Sequence, residues 1–150
     1  MPSTKQHLHA LCVAYAEARM HAAREAIQFA QASANDETKS SAGDKYETGR
    51  AMAQLEIEKN SMQLAEGLKL KQKLLQLDPT KITRTAQAGS LVITNQGKFF
   101  IAVSAGKVTL ENENYFAISP SSPIAQSLLG LRSGDQFRFN GKDFHVDSVE

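Results

Sequence analysis

Two long runs of helical periodicity fill the first half of the chain. In the first run, apolar residues recur at three- and four-residue spacing, with no proline or glycine from Ser3 to Asp36. The spacing predicts a helix of about thirty residues, roughly 45 Å long, that begins near Ser3 or Thr4 and is stopped by Asn35-Asp36. A helix of this length cannot be buried in a small globule and needs a partner helix. The predicted apolar stripe is Leu8, Leu11, Tyr15, Ala18, Ala22 and Phe29.

The second run provides the partner. It extends from Asp44 to Leu77, where Asp78-Pro79 prevents its continuation. Its apolar stripe is narrow, like a coiled-coil seam, and Gly49 and Gly67 each weaken the helix locally by about 1 kcal/mol relative to alanine. Because a short polar segment joins the two runs, they predict an antiparallel hairpin. The predicted stripe is Met52, Leu55, Met62, Ala65, Leu68 and Leu75.

The joining segment, residues 34–46, carries three carboxylates at the far end of the predicted hairpin, and we call it the tip. Asp44 lies in or just before the first turn of the second helix, where the helix dipole stabilises an acid. Asp36 and Glu37 lie at the C-terminal end of the first helix, where an acid is mildly unfavourable. In water these groups stay charged and add nothing to the core. A solvated turn with helix-capping acids is the simpler interpretation of these residues by themselves, although the unfavourable placement of Asp36 and Glu37 invites a functional one.

Other candidate side chains of the hairpin have structural explanations. Cys12 lies in an apolar stripe with no CxxC or His/Cys spacing, which predicts a small buried side chain in a reduced cytosol. The methionines admit two interpretations, an adaptable binding face or gap-filling core residues, and the second is favoured. Three histidines lack metal-ligand spacing with a carboxylate or cysteine and are expected at the surface or in the seam. The residues concerned are Met20, Met52 and Met62, and His7, His9 and His21.

From Thr80 onward, alternating β-branched residues replace alanine and leucine, and turn signals divide the sequence into short strands. Asn140-Gly141 is a strong signal for a two-residue hairpin turn. Ser122-Pro123 predicts the start of a helix that runs through Leu129 and ends at Gly130. The predicted strands are 89–97 with its closing turn, 98–103, 108–110, 115–119, 135–140 and 142–149.

These elements predict an α+β fold. An antiparallel two-helix coiled-coil hairpin covers residues 1–78, and a small antiparallel sheet domain with one short helix covers residues 79–150. In the sheet domain, His145 alternates with Asp143 and Asp147, which places all three on one face of a strand, most simply a solvated face. The sequence of this half shows no nucleophile and base set, phosphate loop or zinc pattern. Nothing in it indicates catalysis by the sheet domain itself.

Charge and hydropathy limit the partners. The net charge of +1 and the lack of a strongly basic run argue against direct nucleic-acid binding by bulk electrostatics. The amino-terminal residues lead into a polar and alanine-rich helix with no long apolar run. Neither a signal peptide nor a membrane span is predicted, so we expect a cytoplasmic protein that does not bind membranes. The oligomeric state stays open, because a thin coil can self-associate through its seam.

One motif resembles a known family. The segment 118–130, Ile-Ser-Pro-Ser-Ser-Pro-Ile-Ala-Gln-Ser-Leu-Leu-Gly, precedes Gly134-Asp135 and a terminal strand that ends at Glu150. It resembles the C-terminal domain of the bacterial Gre transcript cleavage factors, where a similar Ser-Pro-Ile helix and Val-Gly-Asp turn mark a fold like that of the FK506-binding proteins. The segment 89–92, Gly-Ser-Leu-Val, also fits. The predicted hairpin is similar to the coiled coil at the N-terminus of that family.

The resemblance implies a protein that docks its sheet domain at the rim of the RNA polymerase secondary channel and inserts the coiled coil. The tip then acts near the RNA 3′ end of a backtracked complex, which it contacts only indirectly. Asp36 and Glu37 would help hold the second Mg²⁺, present only in the complex and completed by polymerase, and Asp44 is a third candidate catalytic residue. Mg²⁺ keeps several waters and uses few protein carboxylates, so a tip can complete such a site. The chain would not be an enzyme itself but would stimulate the nuclease activity of polymerase.

The tip departs from the family pattern, which has Asp, two residues, then Glu-Asn-Ala-Glu-Tyr. Tyr46 aligns with the family tyrosine, but the acid pair before it is then out of register. Either Asp36 and Glu37 replace that pair, or Asp44 does so with Asp36 across the turn. A secondary-channel regulator that does not stimulate cleavage is therefore the alternative function. A free-standing peptidyl-prolyl isomerase is a third, although the domain lacks an evident aromatic-lined pocket and its aromatic residues alternate as core positions.

Overall fold

A computed structural model describes residues 3–38 and 43–150, with the side chains of 36–38 and 43–46 excepted. Helix α1 spans Thr4–Thr38 and helix α2 spans Gly43–Leu75. Ser3 and Gln6 form a capping box at the start of α1: the Ser3 hydroxyl accepts from the Gln6 amide at 3.2 Å, and the Gln6 side chain accepts from the Ser3 amide at 2.7 Å.

The C-terminal ends of α1 and α2 each differ from the predicted ends by two residues. Helix α1 continues past Asn35-Asp36 to Thr38, because neither residue type forbids helical backbone as proline does. Helix α2 stops at Leu75 rather than Leu77. The amides of residues 76 and 77 instead donate to carbonyls three residues earlier, at 3.2 and 3.1 Å, which tightens the last turn before the Asp-Pro sequence.

The chain divides into two compact units. The sheet unit consists of Met1–Tyr15 with Gln72–Glu150, and the hairpin unit is Ala16–Lys71. The α+β class is confirmed, with two long helices that pack together followed by a mostly antiparallel sheet and a short helix. The predicted division between residues 78 and 79 stays a prediction.

In the hairpin unit the helices pack through small residues. Gly67 lies so close to α1 that a Cβ atom there would meet the Met20 Cγ at 2.8 Å and the Ala16 carbonyl oxygen at 3.4 Å. Apart from Met20, the buried residues of the seam have little or no side chain, which lets the two backbones approach closely. Its buried residues are Ala16, Met20, Ala23, Ala30, Ala53 and Gly67.

The predicted seam is wrong for most of its length, because the large apolar residues that it used lie on the outside. Among the predicted seam residues only Leu8 is buried. The gap-filling interpretation of the methionines holds for Met20 but is wrong for Met52 and Met62, which are exposed. The other exposed positions of the predicted stripes are Leu11, Tyr15, Ala18, Ala22, Phe29, Leu55, Ala65, Leu68 and Leu75.

The sheet unit contains six strands in the order β3-β4-β2-β1-β6-β5. Their pairing is antiparallel except for β2 with β4, which is parallel and places Phe99 opposite Phe116. The prediction of an all-antiparallel sheet is therefore wrong in this one pair. Strand β3 lies at the edge of the sheet and pairs with β4 in a hairpin. Strand β4 therefore lies between β3 and β2, and it runs in the same direction as β2. The strands are Leu91–Thr94, Gly97–Ile101, Gly106–Leu110, Glu113–Ile118, Gln136–Phe139 and Lys142–Val149.

Helix α3, Pro123–Leu128, covers one face of this sheet. Ser122 caps it by accepting from the Ala125 amide, and Gly130 adopts a φ of +88° just after it, as predicted. The Asn140-Gly141 turn is also confirmed, since both residues have positive φ. The core beneath α3 consists of Ala86, Val92, Ile101, Ala125, Leu128 and Val146. Alternation places Leu91 and Phe100 on the opposite face, where they are also buried.

Candidate functional site

The three carboxylates predicted to form the site lie where one helix ends and the next begins. Asp36 and Glu37 belong to the last turn of α1, and Asp44 to the first turn of α2. Five peptide links separate Thr38 from Gly43, so the two helix ends lie within about 18 Å of each other. The side chains of all three acids lie outside the described residues. Their distances and any role in catalysis or Mg²⁺ binding therefore stay predictions.

Contacts along the hairpin unit set the register of its two helices. The Arg19 guanidinium donates to Glu66 at 3.0 Å and to Gln63 at 2.9 Å, and Lys71 pairs with Glu17 at 3.1 Å. These pairs join residues early in α1 to residues late in α2, as an antiparallel hairpin requires. Exposed ion pairs each contribute about 0.2–1 kcal/mol, so they fix register more than they add stability.

The segment that carries the family resemblance folds into a loop, a cap and α3. Its apolar residues Ala125 and Leu128 are buried, while Ser121, Pro123 and Gln126 are exposed. The Gln126 side chain donates to the carbonyl of residue 120 at 2.7 Å and closes the loop onto the helix. The segment thus combines a core-filling inner side with a polar outer side that a partner can reach.

A buried lysine at the start of α1 was not predicted from the sequence. Lys5 is 4% exposed, and its ammonium donates to the Lys81 carbonyl. Burial lowers the Lys5 pKa, while Glu150 and Asp78 act in the opposite direction. Its spacing to Leu8 and Cys12 matches the buried side of α1 and was the one available signal. The lysine ties the amino-terminal end of α1 to the segment after α2, which is a structural role.

Asp78 stands beside this contact and is exposed. Its carboxylate accepts hydrogen bonds from the hydroxyl and the amide of Thr80, and both lower the Asp78 pKa. The bonds hold the turn that follows α2, where the chain passes into the sheet. Cys12, predicted to be buried, is fully buried, and loss of solvation raises its pKa to about 11. Neither group has the environment of an activated nucleophile or base.

The remaining clusters of the sheet unit have structural explanations. His145 contacts Asp147 at 3.0 Å, and both side chains are about half exposed, which matches the predicted solvated face. The aromatic rings of β2, β4, β5 and β6 contact one another, the closest pair being Phe137 and Phe144 with centroids 4.7 Å apart. Across residues 3–38 and 43–150, no group of three or more His, Cys, Asp or Glu side chains is placed to hold a metal.

Comparison with known proteins gives no family assignment. None of the described helices combines the length and the apolarity needed to cross a membrane. No protein-family model matches the chain, and no curated protein matches it significantly.

Proposed function

We propose that the protein is a transcription elongation factor that binds RNA polymerase in the cytoplasm. The sheet unit docks at the rim of the secondary channel, and the tip promotes cleavage of a backtracked transcript by polymerase itself. The chain supplies carboxylates to a shared metal site and carries out no hydrolysis alone. Its contact with the RNA 3′ end is indirect.

One observation carries the proposal: two paired long helices with an acidic connection precede a sheet on which the 118–130 segment forms a capped helix. The resemblance implies both elements in this order. A similar order of elements supports the proposal by analogy only, because one fold can host several functions. The residue-level support is the placement of Asp36 and Glu37 in the last turn of α1, where acids are unfavourable for the helix itself.

The donor chemistry fits the implied metal. Carboxylate oxygens are the ligands that Mg²⁺ prefers, and one or two of them suffice when other groups complete the shell. When bound, a second Mg²⁺ supplies an activated water and stabilises the leaving oxygen. Asp36, Glu37 and Asp44 would hold and orient it from the tip, and the polymerase supplies the remaining ligands.

The altered tip favours one second candidate, a channel-binding regulator that leaves the RNA intact. Asp36 and Glu37 are adjacent in sequence and do not reproduce the family spacing. Side chains one residue apart on a helix point about 100° apart. If they cannot reach one metal together, the protein still enters the channel but does not stimulate cleavage.

The test uses a stalled, backtracked elongation complex with Mg²⁺ and the purified chain. We expect the protein to co-purify with RNA polymerase and to shorten the RNA. Loss of metal ligands in the double variant Asp36→Ala with Glu37→Ala should reduce the cleavage rate about 10- to 100-fold without weakening co-purification. Glu58→Ala, which removes an exposed carboxylate in the middle of α2, is the control and should cleave like the parent chain.

Three other outcomes are informative. Binding without RNA shortening would support the non-cleaving regulator, and the chain should then compete with an authentic cleavage factor. Cleavage that is unchanged in the Asp36 and Glu37 variant but lost in Asp44→Ala would move the metal-binding role to Asp44. A protein that does not bind polymerase at all would contradict the proposal in both forms.

A further inference from the structure

A groove runs along one flank of the hairpin unit, between α1 and α2. It encloses about 780 Å³ and is open to solvent. Three of its lining residues are Gly49 and the buried Ala30 and Ala53. Because these residues have small side chains or none, they leave the space unfilled. Phe29 and Met52 stand at its sides with 76% and 63% of their surface exposed. The groove is therefore an apolar surface that the hairpin itself does not cover.

On α1, the apolar residues that line the groove repeat at coiled-coil spacing. Ala22 and Phe29 are seven residues apart, with Ala26 between them. Ala22 and Phe29 are exposed, although a heptad repeat of apolar residues is typical of a helix-packing seam. The hairpin thus has a buried seam of mostly small residues and, along the groove, an apolar stripe that is open. Exposed methionine adapts to partners of different shape, which suits a binding surface.

The charges around the groove indicate what kind of helix fits. Glu25 and Glu56 are the charged residues that line it within the described part of the chain. Glu25 contacts His21 at 3.0 Å, a pair that is ionic only when the histidine is protonated, and Glu56 accepts a long hydrogen bond of 3.4 Å from Asn60. Neither carboxylate is neutralised by a permanent cation in these contacts. The rim of the groove is therefore negative.

We propose that this groove binds one amphipathic helix of a partner protein, whose apolar stripe is edged by lysine or arginine. An α-helix about 10 Å wide matches the space between two antiparallel helices and would complete a three-helix coiled coil. A second copy of this chain is disfavoured as the occupant, because a symmetric contact brings the same flank, with Glu25 and Glu56, against itself. Glu25 and Glu56 are instead complementary to a partner helix whose apolar stripe is edged by basic residues. This inference is independent of the proposed role in transcription.

The experiment uses the full chain and two synthetic peptides of about 21 residues, long enough to form helix when bound. Both place leucine at heptad a and d positions, and they differ only in lysine or glutamate at the flanking e and g positions. Fluorescence anisotropy measures each affinity at low and physiological salt. The lysine peptide should bind at least about tenfold more tightly than the glutamate peptide, and the difference should shrink with salt.

Variants separate the two contributions. Phe29→Ser with Met52→Ser should weaken binding of the lysine peptide about 30-fold or more, because both side chains would be central anchors. Glu25→Gln with Glu56→Gln should bring the two peptides to within about threefold of each other while binding persists. Ile82→Ser, which removes an equally exposed apolar side chain from the sheet unit, is the matched control and should change nothing.

The remaining outcomes overturn the proposal. Equal binding of both peptides, or binding unaffected by the Phe29 and Met52 substitutions, would show that the groove is not the site. A chain that dimerises in sedimentation experiments, and whose dimer dissociates in the same double variant, would make a second copy the occupant. Circular dichroism of each variant establishes that it remains folded, which the exposure of all four substituted groove residues leads us to expect.

Discussion

The two units differ in what they do with their large apolar side chains. In the sheet unit, Phe100 is 1% exposed and Leu128 is fully buried. In the hairpin unit the buried seam is mostly alanine and glycine, while Phe29 and Met62 face solvent. The sheet unit therefore has a core of its own. The hairpin unit has a thin seam and an apolar outer surface, which is the distribution expected of a region that completes its packing with another molecule.

Under the proposed function, this difference suits the two units to different tasks. A unit with a filled core keeps its shape without help and can serve as a docking platform, and here the polar outer side of α3 is available for that. A two-helix unit with a small-residue seam gains little free energy from its own packing, since apolar stabilisation scales with the area buried. On this proposal, its exposed side chains and its tip acids are the groups that bind other molecules.

Truncation of a phenylalanine in each unit should give opposite results. Phe100→Ala should lower the free energy of unfolding by about 3–5 kcal/mol, because it leaves a cavity in a filled core. Phe29→Ala removes the same atoms from an exposed site and should change it by less than about 0.5 kcal/mol. Urea denaturation followed by circular dichroism measures both. Similar losses in the two variants would mean that the contrast between the units is wrong.

A methyl group added to the hairpin seam should reveal how tightly it is packed. Gly67→Ala gains about 1 kcal/mol of helix propensity but forces Met20, whose Cγ would lie 2.8 Å from the new Cβ, to move, so a net loss of about 1 kcal/mol is expected. In a Met20→Ala background the contact is absent, and the same substitution should become stabilising. The double-mutant cycle, measured by thermal unfolding, isolates this coupling. A Gly67→Ala chain more stable than its parent would contradict the close approach of the helices.

A substitution at the α3 cap should have a smaller effect, confined to the sheet unit. Ser122→Ala removes the acceptor of the Ala125 amide and should destabilise α3 by about 0.5–1 kcal/mol. Ser121→Ala, one residue earlier and exposed, is the control and should be neutral. Hydrogen exchange should show faster exchange at residues 125–129 with no change at residues 16–71. Equal effects of the two serines would remove the capping role of Ser122.

Much of the fold was predictable because its signals are local. Asn140-Gly141, Ser122-Pro123 and Gly130 each act on the backbone of one or two residues, and the structure bears out all of them. The parallel pairing of β2 with β4 was missed because it depends on where β3 lies, which no local pattern encodes. The hairpin seam was misplaced for another reason. Each helix has two apolar stripes, one of large and one of small residues. The stripe of large residues was predicted to form the seam, but close packing of the helices buries the stripe of alanines and Gly67 instead.

The candidate site was predictable only in part. Sequence positions place Asp36, Glu37 and Asp44 at helix ends, and the backbone agrees in this respect. Which of these acids would bind one metal ion together depends on side-chain geometry and on groups that a partner would supply. The groove between α1 and α2 was missed because it depends on how the two helices pack. Met52, which lines it, was its one sequence signal, and the core interpretation was chosen for that residue instead.

Insertion of the tip beside the polymerase active site is the central claim, and site-specific photo-crosslinking tests it most directly. A photo-reactive amino acid replaces residue 41 in the tip and, in a second chain, residue 121 beside α3. In a backtracked complex the account predicts that position 41 crosslinks to the catalytic region of polymerase or to the RNA 3′ end, and that excess unmodified chain abolishes the product. Crosslinks from position 121 without any from position 41 would contradict insertion of the tip.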